Sequence, residues 1–279
     1  MVEQRKGFTS GLVFVFLIVA LVIFAFPFFI LIINSFKSNG EILQSPFSLP
    51  SSFSFDQFAS AIDKMNFLVT FKNSLLITVL STAFILLFSG MAAYYIVRVK
   101  TKFNNTLFAT LVAAMIIPFQ SLMIPLINIY GAKLGWIDTA PMILLIALYI
   151  GFGSSLSVFI FHGFIKSIPF ELEEAASIDG CSPKQIFFRI IFPVLMPTSV
   201  TIGILNVMWI WNDYLLPSLV LNKDNLYTLP IQMKVFNGTY MNNWELLIPA
   251  ILLTILPILV FYLIGQRMII EGITQGSVK

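Results

Sequence analysis

The sequence has few of the residues on which enzymes and metal sites depend. Its 279 residues include one cysteine and one histidine, and charged residues make up 10%, where a soluble domain carries about 25%. The lone Cys181 excludes an internal disulfide framework and a cysteine-based metal cluster. The lone His162 leaves no plausible Ser-His-Asp or Cys-His arrangement. The composition therefore argues against an enzyme and predicts no bound metal.

Binding motifs are scarce as well. The chain has no Gly-x-x-x-x-Gly-Lys-Ser/Thr loop, so it cannot hold ATP in the usual way. It has no basic stripe of the kind that binds nucleic acids. It also lacks the series of intramembrane carboxylates expected of proton- or sodium-coupled carriers. These absences argue against an ATP-binding protein, a nucleic-acid-binding protein and an ion-coupled carrier.

Apolar residues are abundant instead. They account for 58% of the chain, with 29 phenylalanines, and the mean hydropathy is +0.93. The first apolar stretch follows Arg5 and Lys6, as in a signal peptide, but it is longer than the apolar core of about 7–15 residues in a cleavable one. A bilayer crossing takes about 20 apolar residues. The sequence thus predicts one all-α transmembrane domain over residues 1–279, with six spans near residues 11–36, 73–97, 106–130, 141–161, 194–216 and 244–267.

The positions of lysine and arginine predict the orientation of these spans. If both termini are cytoplasmic, the inner segments hold Arg5, Lys6, Arg98, Lys100, Lys102, Lys166, Lys184, Arg189, Arg267 and Lys279. The outer segments then hold the smaller set, Lys37, Lys64, Lys72, Lys133, Lys223 and Lys234. Basic residues concentrate on the cytoplasmic side of membrane proteins. The fourth and fifth spans would then be joined in the cytoplasm.

That connection, residues 167–193, is the most informative stretch of the chain. Pro169 suits the first position of a helix, and three glutamates follow where negative charge favours the helix dipole. Asp179 and Gly180 end this helix, since Gly180 tolerates positive φ. Ser182-Pro183-Lys184-Gln185 reads as a capping box that starts a second helix. We expect two short helices at an angle, which form a rigid protrusion at the membrane surface.

The same residues resemble the EAA loop of permease subunits of binding-protein-dependent ABC importers. Glu174-Ala175-Ala176, Gly180, Ile190 and Pro193 match that pattern without a gap, although Phe192 stands where the family usually has leucine. In the family this loop is a coupling helix that docks into a cleft of a cytoplasmic ATPase subunit. The resemblance therefore implies ATPase-coupling roles for Glu171, Glu173, Glu174, Ala175, Ala176, Asp179, Gly180 and Pro183.

Further motifs resemble the smaller permease of carbohydrate importers of the maltose type. They include Asn73-Ser74, Trp211-Asn212-Asp213, Thr228-Leu229-Pro230 and the ending that begins at Gly272. This implies a bacterial inner-membrane location, a heterodimer with a related permease, two ATPase subunits that carry ATP and Mg, and an extracytoplasmic sugar-binding protein. Within the outer loop at 217–243, the family's binding-protein contact maps to Asn237, Gly238, Thr239 and Tyr240. The tail expected to face the ATPase includes Thr274, Gly276 and Lys279.

Four polar residues of the fifth span are candidates for a sugar pathway, because sugars are bound by aromatic faces and amide or carboxylate hydrogen bonds. They are Asn206, Trp211, Asn212 and Asp213. Asp213 is equally an interfacial anchor, and a tryptophan near the membrane boundary is often a belt residue. Gln120, Asn128, Ser74 and Thr78 are expected to pair between helices rather than to touch substrate.

We therefore expect an ABC importer permease for a sugar or oligosaccharide that works by alternating access. Glycerol phosphate carriers share the same signature, so that solute remains open. A secondary carrier, or a membrane scaffold or receptor without transport, is the alternative from another class.

Overall fold

The computed structural model describes residues 2–237 and 243–277, and the side chains of residues 11, 13–237 and 243–266. No β-strand occurs in these ranges, which confirms the prediction of an all-α protein. The helices are α1 Val2–Asn34, α2 Asn39–Gln44, α3 Asp56–Lys64, α4 Phe67–Arg98, α5 Lys102–Ala114, α6 Phe119–Leu126, α7 Trp136–Thr139, α8 Pro141–Ile165, α9 Glu171–Ile178, α10 Pro183–Ile186, α11 Phe192–Val194, α12 Met196–Asn212, α13 Leu215–Val220, α14 Leu229–Gln232 and α15 Trp244–Ser277.

Four of the described helices are long and apolar enough to cross a membrane alone, over Val13–Asn34, Phe67–Arg98, Pro141–Ile165 and Trp244–Gln266. The stretches expected to form the third and fifth spans are each bent. Lys102–Ala114 and Phe119–Lys133 meet at 97°, and Pro183–Val194 and Met196–Asn212 meet at 74°. The number of crossings is six if each bent pair forms one span.

Prolines account for both bends. A proline disfavours helical dihedrals in the residue before it, here Ile117 before Pro118, and α5 ends at Ala114, three residues before Ile117. At the second bend, Pro193 and Pro197 flank Leu195, and neither has an N–H group to donate to the preceding turn. A proline inside a helix removes a hydrogen bond and produces a kink. Each bend thus follows from the local sequence, although its angle does not.

The chain forms two compact units, one of Met1–Phe67 with Met233–Leu256 and one of Leu68–Gln232 with Pro257–Lys279. In the second unit, apolar side chains of α4, α8 and α12 make the core, around Ile85, Leu145 and Tyr149. Gly153 of α8 allows a very close approach, because a Cβ there would lie 2.6 Å from Ile85 Cδ1 and 2.8 Å from Asn206 Oδ1. Helices in membranes often pack through small residues in this way.

Hydrogen bonds attach part of the predicted outer loop to the start of α4. The Asn73 side-chain amide donates to the carbonyls of Asn225 and Tyr227, at 2.9 and 3.1 Å. The Ser74 hydroxyl accepts from the Leu229 backbone N–H at 2.9 Å. Ser74 of α4 therefore pairs with the backbone N–H of Leu229, the first residue of the short helix α14.

Candidate functional site

The stretch 167–193 has the predicted helix–stop–helix form. Helix α9 begins at Glu171, two residues after Pro169, and ends at Ile178, with Asp179 as its C-cap. Gly180 adopts φ +83°, as predicted. The N–H of Cys181 donates to the Ala176 carbonyl at 3.0 Å and that of Gly180 to Ser177 at 3.1 Å. These two bonds form a Schellman motif, which satisfies the last carbonyls of the helix.

The second helix starts as the sequence predicted. The Ser182 hydroxyl accepts from the Gln185 N–H at 3.4 Å, and the Gln185 side chain accepts from the Ser182 N–H at 2.7 Å. Pro183 occupies the first turn, where a missing N–H costs nothing. The two helices are therefore joined by the four residues 179–182, with defined geometry at both ends.

Glu173 is buried and does not share the exposure of the other two glutamates of α9. Its Oε1 accepts from Arg98 Nε at 2.6 Å, and its Oε2 accepts from the Tyr94 hydroxyl at 2.7 Å. Arg98 also donates from Nη2 to the Ile168 carbonyl at 3.1 Å, and its guanidinium lies over the Phe170 ring. Both oxygens of a buried carboxylate are thus satisfied, as such a charge requires. Helix α9 is held to the last turn of α4 through this network.

Apolar packing reinforces the attachment. Ala176, Ile186, Phe187 and Ile191 are buried in one cluster with side chains of α4 and α8. The Phe187 ring lies 5.4 Å from the ring of Tyr94, which also bonds Glu173. Burial of aliphatic and aromatic side chains contributes about 1.5–3 kcal/mol each. The inner face of the protrusion is therefore part of the protein core.

The outer face of the protrusion is exposed and has a mixed character. Ile178 is 86% exposed, which is unusual for an isoleucine beside a well-packed core. The other exposed positions that the sequence singled out are Glu171, Glu174, Ala175, Asp179, Gly180 and Pro183. An exposed apolar side chain on a helix that also carries exposed carboxylates has the mixed composition of a protein interface.

A second feature is a cavity of about 500 Å³ among α6, α8, α12 and α13. Of the four predicted pathway residues, Asn206 and Asp213 line it. Asn206 is buried, and its amide donates to Ser157 Oγ at 3.2 Å and to the Ile202 carbonyl at 2.9 Å. The remaining lining residues are Phe119, Gln120, Phe152, Gly153, Leu156, Leu205, Trp209, Leu215 and Leu216.

Asp213 lies at the end of α12 and shapes the wall of this cavity. Its Oδ1 accepts from the Leu215 N–H at 2.9 Å, and its Oδ2 accepts from the Tyr149 hydroxyl at 3.0 Å. The ring of Tyr149 lies edge-on to Trp209, with centroids 5.4 Å apart. Asp213 therefore caps the turn between two helices and also lines the cavity.

Two predicted pathway residues lie elsewhere. Trp211 is buried against Phe71, with ring centroids 5.9 Å apart, and lines a separate apolar cavity of about 110 Å³. Asn212 is exposed, and its amide donates back to the Met208 carbonyl at 2.8 Å. The cavity of about 500 Å³ is instead lined by Trp209 and Gln120. Trp209 and Trp211 are two residues apart, about 200° around the helix, so their side chains face different sides, but the sequence does not show which side faces a cavity.

The remaining predicted sites are only partly described. Asn237 is exposed, whereas Gly238, Thr239 and Tyr240 lie outside the described residues. Thr274 and Gly276 belong to α15 without described side chains, and Lys279 lies outside the described residues. His162 stacks on Phe108 at a centroid distance of 3.8 Å. Within the described residues, no group of three His, Cys, Asp or Glu side chains could hold a metal ion.

The sequence matches a known family over most of its length. Residues 85–270 match the model of the binding-protein-dependent transport system inner membrane component. A probable starch degradation products transport system permease protein, AmyC of Thermoanaerobacterium thermosulfurigenes, is 43% identical over 253 residues, 91% of each chain. The melibiose/raffinose/stachyose import permease protein MelC of Bacillus subtilis is 36% identical, covering 99% of this chain and 100% of its own.

The fold also has a solved counterpart. A chain of a bacterial ABC transporter involved in import of the acidic polysaccharide alginate superposes with a TM-score of 0.74 at 21% identity. The match covers 94% of this chain and 97% of the other. At this level of identity the likeness concerns the fold.

The structure predicts that alanine substitution of two adjacent glutamates has different effects on stability. Glu173→Ala leaves the partly buried Arg98 without its partner, which costs up to about 3–5 kcal/mol for a buried pair, so α9 should detach from α4. Glu174→Ala removes an exposed carboxylate and should leave the fold unchanged. Limited trypsin digestion should show faster cleavage at Lys166, Lys184 and Arg189 in Glu173→Ala alone.

The double variant Glu173→Ala/Arg98→Ala provides the control, because it removes the uncompensated charge together with the pair. It should recover part of the protease resistance. Equal cleavage rates in Glu173→Ala and Glu174→Ala would contradict the anchoring role of Glu173.

Proposed function

The chain belongs to the family of binding-protein-dependent transport system inner membrane components, and we propose that it imports a sugar or oligosaccharide. It is a multi-pass inner-membrane permease component, not a catalytic subunit. The names of two relatives, which specify starch degradation products and melibiose, raffinose and stachyose, support the carbohydrate class.

We propose that the protrusion at 167–193 is the coupling element that docks on a cytoplasmic ATPase. The observation that carries this is the contrast between its two faces. One face is locked to α4 through Glu173 and Arg98, and the other presents Ile178 and the carboxylates of Glu171 and Glu174. A rigid element with a firm base and an exposed apolar tip suits the transmission of movement between subunits.

The proposed route of transmission follows from the same contacts. When ATP closes the ATPase dimer, the docked α9 moves, and the Glu173–Arg98 pair passes that movement to α4. Phe187 and Ile191, buried in the same cluster, pass it to the bent segment that leads into α12. Since α12 lines the cavity, the cavity would switch its opening from one side of the membrane to the other.

We propose six crossings, with each bent pair forming one span and both termini in the cytoplasm. The excess of basic residues in the segments that would then be cytoplasmic supports this orientation. The complex would contain a related second permease, two ATPase subunits that bind ATP and Mg, and an extracytoplasmic sugar-binding protein. The outer loop at 217–243, with Asn237 to Tyr240, would contact that binding protein, and the tail from Thr274 to Lys279 would face the ATPase.

The cavity lined by Trp209, Asn206 and Asp213 is proposed as this chain's part of the sugar path. Sugars pack their C–H faces on aromatic rings and bind through hydroxyl groups to amides and carboxylates. Its lining includes one carboxylate and no lysine or arginine. A phosphate-bearing solute would be repelled by Asp213 without a compensating cation. The charge of the cavity therefore favours a neutral sugar over glycerol phosphate.

Cys181 tests the proposed orientation. It is the only cysteine and lies in the turn between α9 and α10. A membrane-impermeant thiol reagent should label it in inside-out vesicles stripped of ATPase, but not in intact cells. Labelling of intact cells would overturn the orientation and, with it, the coupling role.

Substitution of Gly180 tests the proposed coupling role and the proposed sugar import together. Its φ of +83° is strained for a β-branched residue, at a cost of about 1–3 kcal/mol. Gly180→Val should re-aim the second helix, so the complex should reach normal membrane levels but lose sugar uptake. Uptake and ATPase activity are measured in proteoliposomes that hold the permease pair, the ATPase subunits and the binding protein.

Gly180→Asn is the matched control, because asparagine tolerates positive φ, and it should retain most uptake. Full uptake by Gly180→Val would show that the turn is only a connector. Absence of sugar uptake by the unmodified complex, with intact binding-protein stimulation of the ATPase, would instead contradict the proposed substrate class.

Substitution of Trp209 tests the proposed sugar path. Trp209→Ala should weaken the sugar contact by an amount comparable to the loss of an aromatic pair, about 0.5–1.5 kcal/mol. This corresponds to about two- to twelvefold slower uptake. Trp136→Ala is the control, since Trp136 has a similar exposure of 49% against 42% and does not line the cavity. ATPase stimulation should be unchanged in both variants, and equal uptake by both would remove Trp209 from the path.

A further inference from the structure

The segment that follows α1 carries an apolar surface that the proposed transport mechanism does not use. From Ile42 to Phe55 the chain has no charged residue. Five large apolar side chains of this segment are exposed, with Phe47 at 72% and Phe53 at 73%. The set is Leu43, Phe47, Leu49, Phe53 and Phe55. An apolar surface of this kind marks an interaction site.

The segment folds back along α1. The Phe47 ring stacks on the ring of Phe26, with centroids 6.3 Å apart and an interplanar angle of 22°. Phe26 lies eight residues before Asn34, where α1 ends, and a helix rises 1.5 Å per residue. Phe47 therefore reaches about 12 Å back from the end of a membrane-spanning helix.

Side chains of α1 and its following turn satisfy the backbone of this returning segment. Lys37 is fully buried, and its Nζ donates to the Ser45 carbonyl at 2.9 Å and to the Pro46 carbonyl at 3.4 Å. The Asn34 amide donates to the same Pro46 carbonyl at 2.9 Å. Irregular backbone near a bilayer needs such partners, because water is scarce there.

A phenylalanine cluster holds the second half of the segment. The Phe36 ring lies 5.4 Å from Phe53, 5.6 Å from Phe55 and 5.5 Å from Phe58. Phe53 and Phe55 nevertheless remain about three-quarters exposed. They thus have a defined position but still present apolar surface outward.

We propose that residues 43–55 form an interfacial anchor that inserts into the lipid bilayer at the Asn34 end of α1. The surface is continuous with the exposed apolar side chains of α1 around Phe26, which are those of a candidate span. Apolar side chains without charge partition into the boundary between headgroups and acyl chains. If both termini are cytoplasmic, as proposed, the anchor lies in the outer leaflet. The choice of leaflet depends on the proposed orientation, whereas the insertion itself does not.

The anchor also has a fixed polar border. At the start of α2, the Asn39 side chain accepts from the Glu245 N–H at 3.1 Å, and the Glu245 carboxylate accepts from the Asn39 N–H at 3.3 Å. Ser38 and Glu41 form a capping box at the same point. The apolar segment thus follows directly after a hydrogen-bonded polar group of residues at the start of α2. We expect these polar residues to stay outside the hydrocarbon and so to limit how deeply the segment inserts.

Site-directed spin labelling of the assembled complex in lipid nanodiscs tests the anchor. Cys181→Ser gives a cysteine-free chain, into which Phe47→Cys, Phe53→Cys or the control Asp63→Cys is introduced. Asp63 is exposed in α3, within the same compact unit. A nitroxide at 47 or 53 should be several-fold more accessible to oxygen than to a water-soluble nickel chelate, and the label at 63 should show the reverse.

Leu43→Cys repeats the measurement at a residue that has no aromatic ring. The loss of a ring–ring contact, which accompanies Phe47→Cys and Phe53→Cys, therefore cannot explain the result at residue 43. Nickel accessibility at 43, 47 and 53 equal to that at 63 would overturn the proposal. Loss of accessibility to both reagents only when binding protein is added would also overturn it, because the surface would then be a docking site for that protein.

Discussion

The ion pair of Glu173 and Arg98 is the interaction on which the stretch 167–193 depends. It joins residues 75 positions apart and links a short surface helix to the end of a long membrane helix. A short helix such as α9, with eight residues, is marginal alone, so it needs tertiary partners. Arg98 and Tyr94 each donate to one oxygen of the buried Glu173 carboxylate, so it is fully satisfied. The same contacts leave Ile178 and Glu174 exposed.

The low availability of water along a membrane protein explains several other features. Each helix break must have its polar groups satisfied by the protein itself. Asp213 does this where α12 ends, by accepting from Leu215 and Tyr149, and the break opens a cavity. Lys37 does it for carbonyls beyond α1. Helix ends and the polar side chains that satisfy the nearby backbone therefore occur together, and they shape both the proposed path and the proposed anchor.

Much of the candidate coupling element was predictable because its signals are local. Gly180 adopts the positive φ that its position after an acidic helix implied, and Ser182 with Gln185 forms the expected capping box. The pathway was less predictable, since Trp211 points to a different cavity from Asp213 while Trp209 shares one with it. Residues two apart on a helix face different directions, and only the neighbouring helices decide which direction leads to a cavity.

The sequence by itself determined the all-helical membrane class, the approximate apolar stretches and the helix start and stop signals at 167–193. These depend on composition and on interactions between residues close in the chain. Tertiary structure decided that Glu173 is buried while Glu174 is exposed, that two predicted spans are bent by 97° and 74°, and which polar side chains share a cavity. The physical reason is that burial and partner choice depend on contacts between distant segments, such as Arg98 with Glu173 and Tyr149 with Asp213.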